Sequence, residues 1–164
     1  MTYYMLFVID LKTRFAEIAG ITATPNEAFM AQVARNWTDC VDECLLNHRF
    51  LILDRDTKFK KQFKATPITA GGECALTPVM APNCNAFAER FVLLIKSECL
   101  NRRIFFGERR LRYAVRENVE HYHLDRAHQG LGSEHIVSST QVGNGAVLCN
   151  ERPCGLLKHY RRAA

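Results

Sequence analysis

Long hydrophobic runs are missing from this chain: of its 164 residues, the longest uninterrupted apolar stretch is Tyr3 to Ile9, seven residues. A transmembrane helix needs about 20. Only Met1 and Thr2 precede that stretch, so the basic segment that opens a secretory leader is missing too. These absences set the expectation of a chain that neither spans a membrane nor is secreted. The cysteines lack pattern. Seven of them, at 40, 44, 74, 84, 99, 149 and 154, are an odd number without regular spacing in a chain large enough to need no stapling, which favours reduced thiols in a cytoplasm over a disulfide framework. There is no glycine-rich phosphate loop, no nucleophilic-serine elbow and no redox cysteine pair, which sets aside P-loop, α/β-hydrolase and thiol-redox chemistry. No internal repeat or low-complexity stretch is present, and that excludes a solenoid.

What is present suits one ordinary domain, or one domain with an appendage, since single domains run about 100–200 residues. With 48% apolar and 24% charged residues, the chain has enough to bury a core, and disorder as its main state is excluded. The net charge of +5 is unevenly placed: −2 over residues 1–50, +2 over 51–100 and +5 over 101–164. A basic C-terminal third is expected where one face meets a polyanion such as nucleic acid.

Residues 3–10 form an apolar run ending in a carboxylate, which reads as a strand buried on both faces with Asp10 at its end. Arg14 to Thr22 suits its hairpin partner. Thr24-Pro25-Asn26-Glu27 reads as a helix start with Thr24 as N-cap and Glu27 closing a capping box. Phe29, Val33, Trp37 and Val41 then recur every four residues, giving a helix to about Cys44. Phe50 to Leu53 is a second short buried strand, again ending in a carboxylate, Asp54. Residues 55–64 are polar and basic, and Gly71, Gly72, Pro78 and Pro82 predict a loop-rich connection through 84. From Asn85 a helix resumes, with Phe87, Phe91 and Leu94 on one face and Glu89 and Lys96 on the other. A further helix, about Glu108 to Leu124, sets Arg109, Arg110, Arg112 and Arg116 against Leu111, Val115 and Val119.

Two strands thus each deliver an aspartate at the C-terminal end, and a helix presents a glutamate on its polar face. Crowded carboxylates repel unless cations neutralise them, and hard oxygen donors are what Mg²⁺ or Mn²⁺ prefers. A pair of such ions about 3.5–4 Å apart can activate an attacking hydroxyl and stabilise the leaving oxygen of a phosphodiester. Spacing alone is a weak signal among 17 acidic residues, for which the plain reading is a polar strand end or a solvated helix face. The flanking words decide.

These are Phe7-Val8-Ile9-Asp10, Leu51-Ile52-Leu53-Asp54-Arg55-Asp56-Thr57-Lys58-Phe59 and Ala81-Pro82-Asn83-Cys84-Asn85-Ala86-Phe87-Ala88-Glu89-Arg90-Phe91, followed by Lys96-Ser97-Glu98-Cys99-Leu100 and His121-Tyr122-His123-Leu124-Asp125-Arg126-Ala127-His128-Gln129-Gly130-Leu131. Together they resemble the catalytic core of the retroviral integrase and bacterial insertion-sequence transposase superfamily. That family's Asp, Asp, Glu triad has about 35 positions between its last two members, and Asp54 and Glu89 are 35 apart. The resemblance covers roughly residues 3–132, and the terminal segment from Gly155 to Arg162 looks like tails of one bacterial branch. It implies an α/β fold, a ribonuclease H-like mixed sheet flanked by helices. It further implies a catalytic core over 1–132 with a basic C-terminal tail over 133–164. Two departures stand out. Asp56 occupies a position where many relatives have glycine, and Pro67 with Gly71-Gly72 falls where relatives often keep a helix.

The resemblance implies a metal-dependent DNA strand-transfer enzyme, a polynucleotidyl transferase in which Asp10, Asp54 and Glu89 hold two Mg²⁺ or Mn²⁺ ions. Lys96, Arg102, Arg103, Arg109, Arg110, Arg112, Arg116, Arg126 and His128 form the candidate DNA-contacting set. For the arginines a solvated helix face is an equal reading, and for His128 a structural histidine is. Cys40, Cys44 and His48 follow every four residues, but no fourth zinc ligand accompanies them, so small core cysteines are the favoured reading. The expected partners are DNA, as element ends and target, and further copies of the chain on that DNA, in a nucleoid-associated cytoplasmic setting. The sequence opens at the first core strand, so a separate helix-turn-helix polypeptide is an expected source of end recognition. The rival readings are a truncated remnant that binds DNA or a partner transposase without turnover, and a ribonuclease H-like nuclease that only hydrolyses.

Overall fold

β1 (Tyr4–Ile9) and β2 (Ala16–Thr22) pair as a two-stranded sheet. Residues 10–15 join them, far too few for a parallel crossover, so the pair is an antiparallel hairpin. The computed structural model describes residues 1–38, 48–56, 63, 73–79, 82–137, 144–152 and 158–163. It divides into two compact units, Met1–Val8 with Ile18–Ala86 and Ile9–Glu17 with Phe87–Ala164.

In the first unit, α1 (Glu27–Thr38) begins two residues later than its sequence suggests. Asn26 caps it: its Oδ1 accepts the Phe29 N–H at 2.9 Å, and its carbonyl accepts the Met30 N–H at 3.1 Å. Thr24 instead closes a turn, its N–H donating to Thr22 Oγ1 at 3.1 Å. The apolar stripe holds. Val33 and Trp37 are buried with Met30 and Ala34 against Leu51, Leu53 and Phe63, and Phe29 packs at the margin of that core. Each of the larger aliphatic and phenylalanine side chains contributes about 1.5–3 kcal/mol by leaving water. Phe29 lies so close to β2 that a Cβ on Gly20 would come within 2.8 Å of the end of its ring, so a larger residue there would have to push that ring aside. Val41, Cys40 and Cys44 fall outside the described residues.

β3 (Phe50–Leu53) alternates: Leu51 and Leu53 are buried, while Phe50 is 53% and Ile52 41% exposed. β1 is likewise half-buried, with Tyr4 exposed. Both were expected to be covered on two faces. An apolar run reports only that a strand can be buried, and period-two geometry lets one face stay open. β4 (Glu73–Leu76) was not expected at all; it pairs in parallel with β3, Leu51 opposite Cys74 and Leu53 opposite Leu76. Four residues among prolines and glycines carry too little periodicity to announce a strand, and the partner supplies what the segment lacks. Pro67, Gly71 and Gly72 lie outside the described residues.

A 3-10 turn at Pro82–Asn85 closes the first unit and leads into α2 (Ala86–Glu98), which from Phe87 on belongs to the second unit together with α3 (Glu108–Leu124); both helices fall where the sequence predicts. Phe91, Leu94 and Ile95 of α2 are buried, as are Leu111, Ala114, Val115 and Tyr122 of α3. Phe91 meets Tyr122 edge-on at 5.2 Å, and the Cys99 thiol donates to the Ala114 carbonyl at 3.6 Å. Burial pushes the Cys99 and Tyr122 pKa values up. β5 (Val147–Glu151) and β6 (Lys158–Arg162) form an antiparallel hairpin with Cys149 opposite Tyr160. The chain is therefore mixed helix and strand, with its named strands paired two by two among the described residues. Among those residues no helix is long and apolar enough to cross a membrane.

Candidate active site and nucleic-acid interface

Asp10 stands at the end of β1, where its carboxylate organises the hairpin turn. Its Oδ1 accepts the backbone N–H of Lys12 at 2.6 Å and of Thr13 at 2.7 Å, the Asx arrangement that short acidic side chains favour. Its main chain closes the same loop, with Asp10 N–H to the Phe15 carbonyl and Arg14 N–H to the Asp10 carbonyl, both 2.9 Å. Arg14 takes a left-handed φ of 65°. Its guanidinium lies over the Phe87 ring at 3.5 Å, a cation–π contact to the start of α2. Phe15 stacks on His123 at 4.1 Å, and the Ala16 N–H donates to His123 Nε2 at 3.1 Å. His123 therefore accepts through Nε2, and burial holds its pKa below the usual value. Asp10 is thus fixed by its own turn, and the turn by α3.

α2 has two faces. Glu89, Leu93 and Lys96, at i, i+4 and i+7, are all exposed, whereas Phe91, Leu94 and Ile95 are buried on the far side. The structure thus places Glu89 and Lys96 on one solvent-facing stripe, as expected. Asp54 belongs to the first unit, directly after β3; it is exposed, and its Oδ1 accepts the Arg55 N–H at 2.7 Å. The Arg55 side chain reaches the Thr77 carbonyl at 2.7 Å and ties down the end of β4. Asp56 lies two residues further out, also exposed. Asp10 and Glu89 share the second unit and Asp54 the first. Within either unit, no three His, Cys, Asp or Glu side chains of the described residues gather as a metal cluster.

Of the basic residues, Arg109 and Arg110 are exposed at the start of α3. Arg112 pairs with Glu108 at 2.6 Å. Arg116 lies 3.5 Å from Glu117 and over the Tyr113 ring at 5.3 Å. Arg109, Arg112 and Arg116 fall at i, i+3 and i+7, so they share one exposed face. Arg102 is exposed and donates to the Ser97 carbonyl at 2.9 Å, while Arg103 is half-buried. Arg126 and His128 are engaged inside the unit. Arg126 pairs with Glu98 at 2.6 Å, and His128 Nε2 lies 2.9 Å from the Tyr122 carbonyl, its ring edge-on to Tyr122. Burial lowers the His128 pKa. His48 is exposed.

One feature escaped sequence reasoning. Arg152, just past β5, sits in a box of three α3-side carboxylates: Asp125 at 2.8 Å, Glu120 at 3.0 Å and Glu117 at 3.7 Å. His121 Nδ1 lies 3.2 Å from Asp125. Burial alone would raise the Asp125 pKa, but its hydrogen bonds to Arg152 and His121 and the arginine charge outweigh that and hold it low. The carboxylate spacing on α3 was visible in the sequence; its cation lies 27 residues from Asp125, and only folding brings it near.

Residues 70–134 match the integrase core domain. The match takes in under half of the chain; it contains Glu89, Lys96, the six arginines from Arg102 to Arg116, Arg126 and His128, and leaves Asp10 and Asp54 outside. The integrase-core segment supports an integrase or transposase catalytic core, a family of typically polynucleotidyl transferases that usually use divalent metals and act on DNA. A search of curated proteins finds no match.

Proposed function

We propose that the chain is the catalytic core of a transposase or integrase that cleaves and joins DNA strands with divalent metal, on a ribonuclease H-like fold. The observation that carries this reading is Glu89: it lies inside the integrase-core segment, exposed on the open face of α2 with Lys96 two turns along the same stripe, while the other face of the helix builds the core. Asp10, Asp54 and Glu89 would hold two Mg²⁺ or Mn²⁺ ions. The donor set fits such ions, since all three are carboxylates and each stands exposed or half-buried at the end of a strand or on an open helix face. When bound, the metals supply activation of a water or a DNA 3′-hydroxyl and neutralise charge on the phosphodiester.

The remaining roles belong to side chains. Asp10 is held in place by two backbone N–H groups. Lys96, on the stripe of Glu89, meets a phosphate. Arg102, Arg103, Arg109, Arg110, Arg112 and Arg116 grip the duplex through its backbone, which gives affinity without sequence information. Arg126, paired with Glu98, and His128, bound to the Tyr122 carbonyl, position the helix ends beneath that surface. On this reading residues 1–132 form the core and 133–164 a basic C-terminal segment. Further copies of the chain assemble on the DNA. Nicking and joining of a precut DNA substrate in Mn²⁺ tests the proposal. Activity that disappears in Glu89→Gln, with the fold retained, supports it; a wild-type chain that binds metal and DNA yet turns nothing over would identify a non-catalytic remnant.

A further inference from the structure

The connection between α2 and α3 holds two large apolar side chains out in water: Ile104 is 84% and Phe106 85% exposed. Their neighbours Arg103 and Phe105 are half-buried. This alternation has the period of extended chain, and Arg103, at φ −143° and ψ 149°, begins it in that conformation. Ile104 and Phe106 therefore stand on one side, facing outward, with Phe105 anchoring the opposite side. Gly107, at φ 85°, then turns the chain into α3.

The charge around this tip decides what it meets. From residue 99 to 116 there are six arginines and one acid, Glu108; Arg112 pairs with Glu108 and Arg116 lies beside Glu117, so an excess of positive charge remains around the tip. A second copy docking through the same surface would bring two sets of arginines together, and like charges repel. A polyanion complements it. Phosphates meet the arginines, and the apolar tip between them needs the only apolar faces a nucleic acid has, those of its bases.

We propose that Ile104 and Phe106 form a wedge that enters between bases of DNA held by the flanking arginines. The inference rests on the DNA reading above and adds the mode of contact. Apolar wedges unstack a base step and kink the duplex, and an aromatic ring stacks on any base, so the contact is indifferent to sequence. Binding accordingly has two parts: a salt-dependent grip from the arginines and a salt-independent one from the wedge.

The test uses the full chain and a short labelled duplex carrying 2-aminopurine, whose fluorescence rises on unstacking. The wild type should bind and brighten the probe. Ile104→Ser with Phe106→Ser removes little buried surface, so thermal unfolding should be unchanged. Affinity should fall about 5- to 100-fold, the range for loss of base stacking, with an unaltered salt slope and no brightening. Phe106→Trp keeps an aromatic face and should retain both signals. Wild-type affinity and brightening in the serine variant would overturn the wedge while leaving the DNA reading intact. So would a change from dimer to monomer in sedimentation with DNA affinity unchanged, which would mark the tip as a contact between copies. No binding by the wild type at low salt would overturn the DNA reading itself and the wedge with it.

Discussion

The two faces of α2 make opposite predictions for neighbouring residues. Phe91 is 1% exposed and meets Tyr122 edge-on at 5.2 Å. Truncation in Phe91→Ala strips away a ring that buries on the order of 170 Å², worth roughly 4 kcal/mol at about 25 cal/mol per Å². Phenylalanine-to-alanine changes in other cores cost about 3–5 kcal/mol once the cavity is included. About 1 kcal/mol of this belongs to the aromatic pair. In a chain of this size each kcal/mol moves Tm by about 2–4 °C, so Phe91→Ala should melt about 6–20 °C lower. Glu89→Gln keeps length and helix propensity on an exposed face, so its cost should stay within about 0.5 kcal/mol. Thermal unfolding by circular dichroism, run beside nicking and joining of precut DNA in Mn²⁺, reads both variants. Phe91→Ala should lose stability and keep activity below its own Tm; Glu89→Gln should do the reverse. An unchanged melting curve for Phe91→Ala would refute the core packing. An active Glu89→Gln with normal melting would refute the role of Glu89.

Other expectations are independent of that pair. Arg152→Met leaves Asp125, Glu120 and Glu117 without their shared cation, so stability at neutral pH should drop by about 2–4 kcal/mol. Because the folded-state pKa of Asp125 is depressed, its share of that difference is present above the ordinary value and lost as pH falls through the folded one; urea titrations of both forms at neutral and strongly acid pH should show the gap closing. His121, His123 and His128 also have lowered folded-state values, chiefly through burial. The unfolded chain therefore takes up their protons first, and stability should decline as pH falls below about 6.5, the unperturbed value; a flat urea midpoint from neutral pH to pH 5 would contradict their burial. Millimolar Mn²⁺ should raise the Tm of the wild type by mass action, and Glu89→Gln should blunt the rise; no shift in the wild type, with DNA present, would count against the metal reading. Neutralising Arg109, Arg110, Arg112 and Arg116 together should shallow the salt dependence of DNA binding, and an unchanged slope would mark them as a solvated face.

The local elements were legible in the sequence because each writes its own period. The stripe of Phe29, Val33 and Trp37, the two-faced pattern of α2 and the bounds of α3 follow from 3.6-residue spacing, and the carboxylates at 10, 54 and 89 stand out by the words around them. Tertiary structure decided what depends on partners distant in the chain. β4 exists because β3 offers a parallel edge, and a four-residue segment has no period to read. The helix cap fell to Asn26 while the backbone of Thr24 closes a turn with Thr22, a choice between near-equal capping residues that propensity does not resolve. Arg126, read from the sequence as a candidate DNA contact, is Glu98's counter-ion, and Arg152 the cation of three carboxylates on and beside α3. A sequence fixes which charges a chain carries, but the fold chooses which are spent on one another and which are left facing solvent.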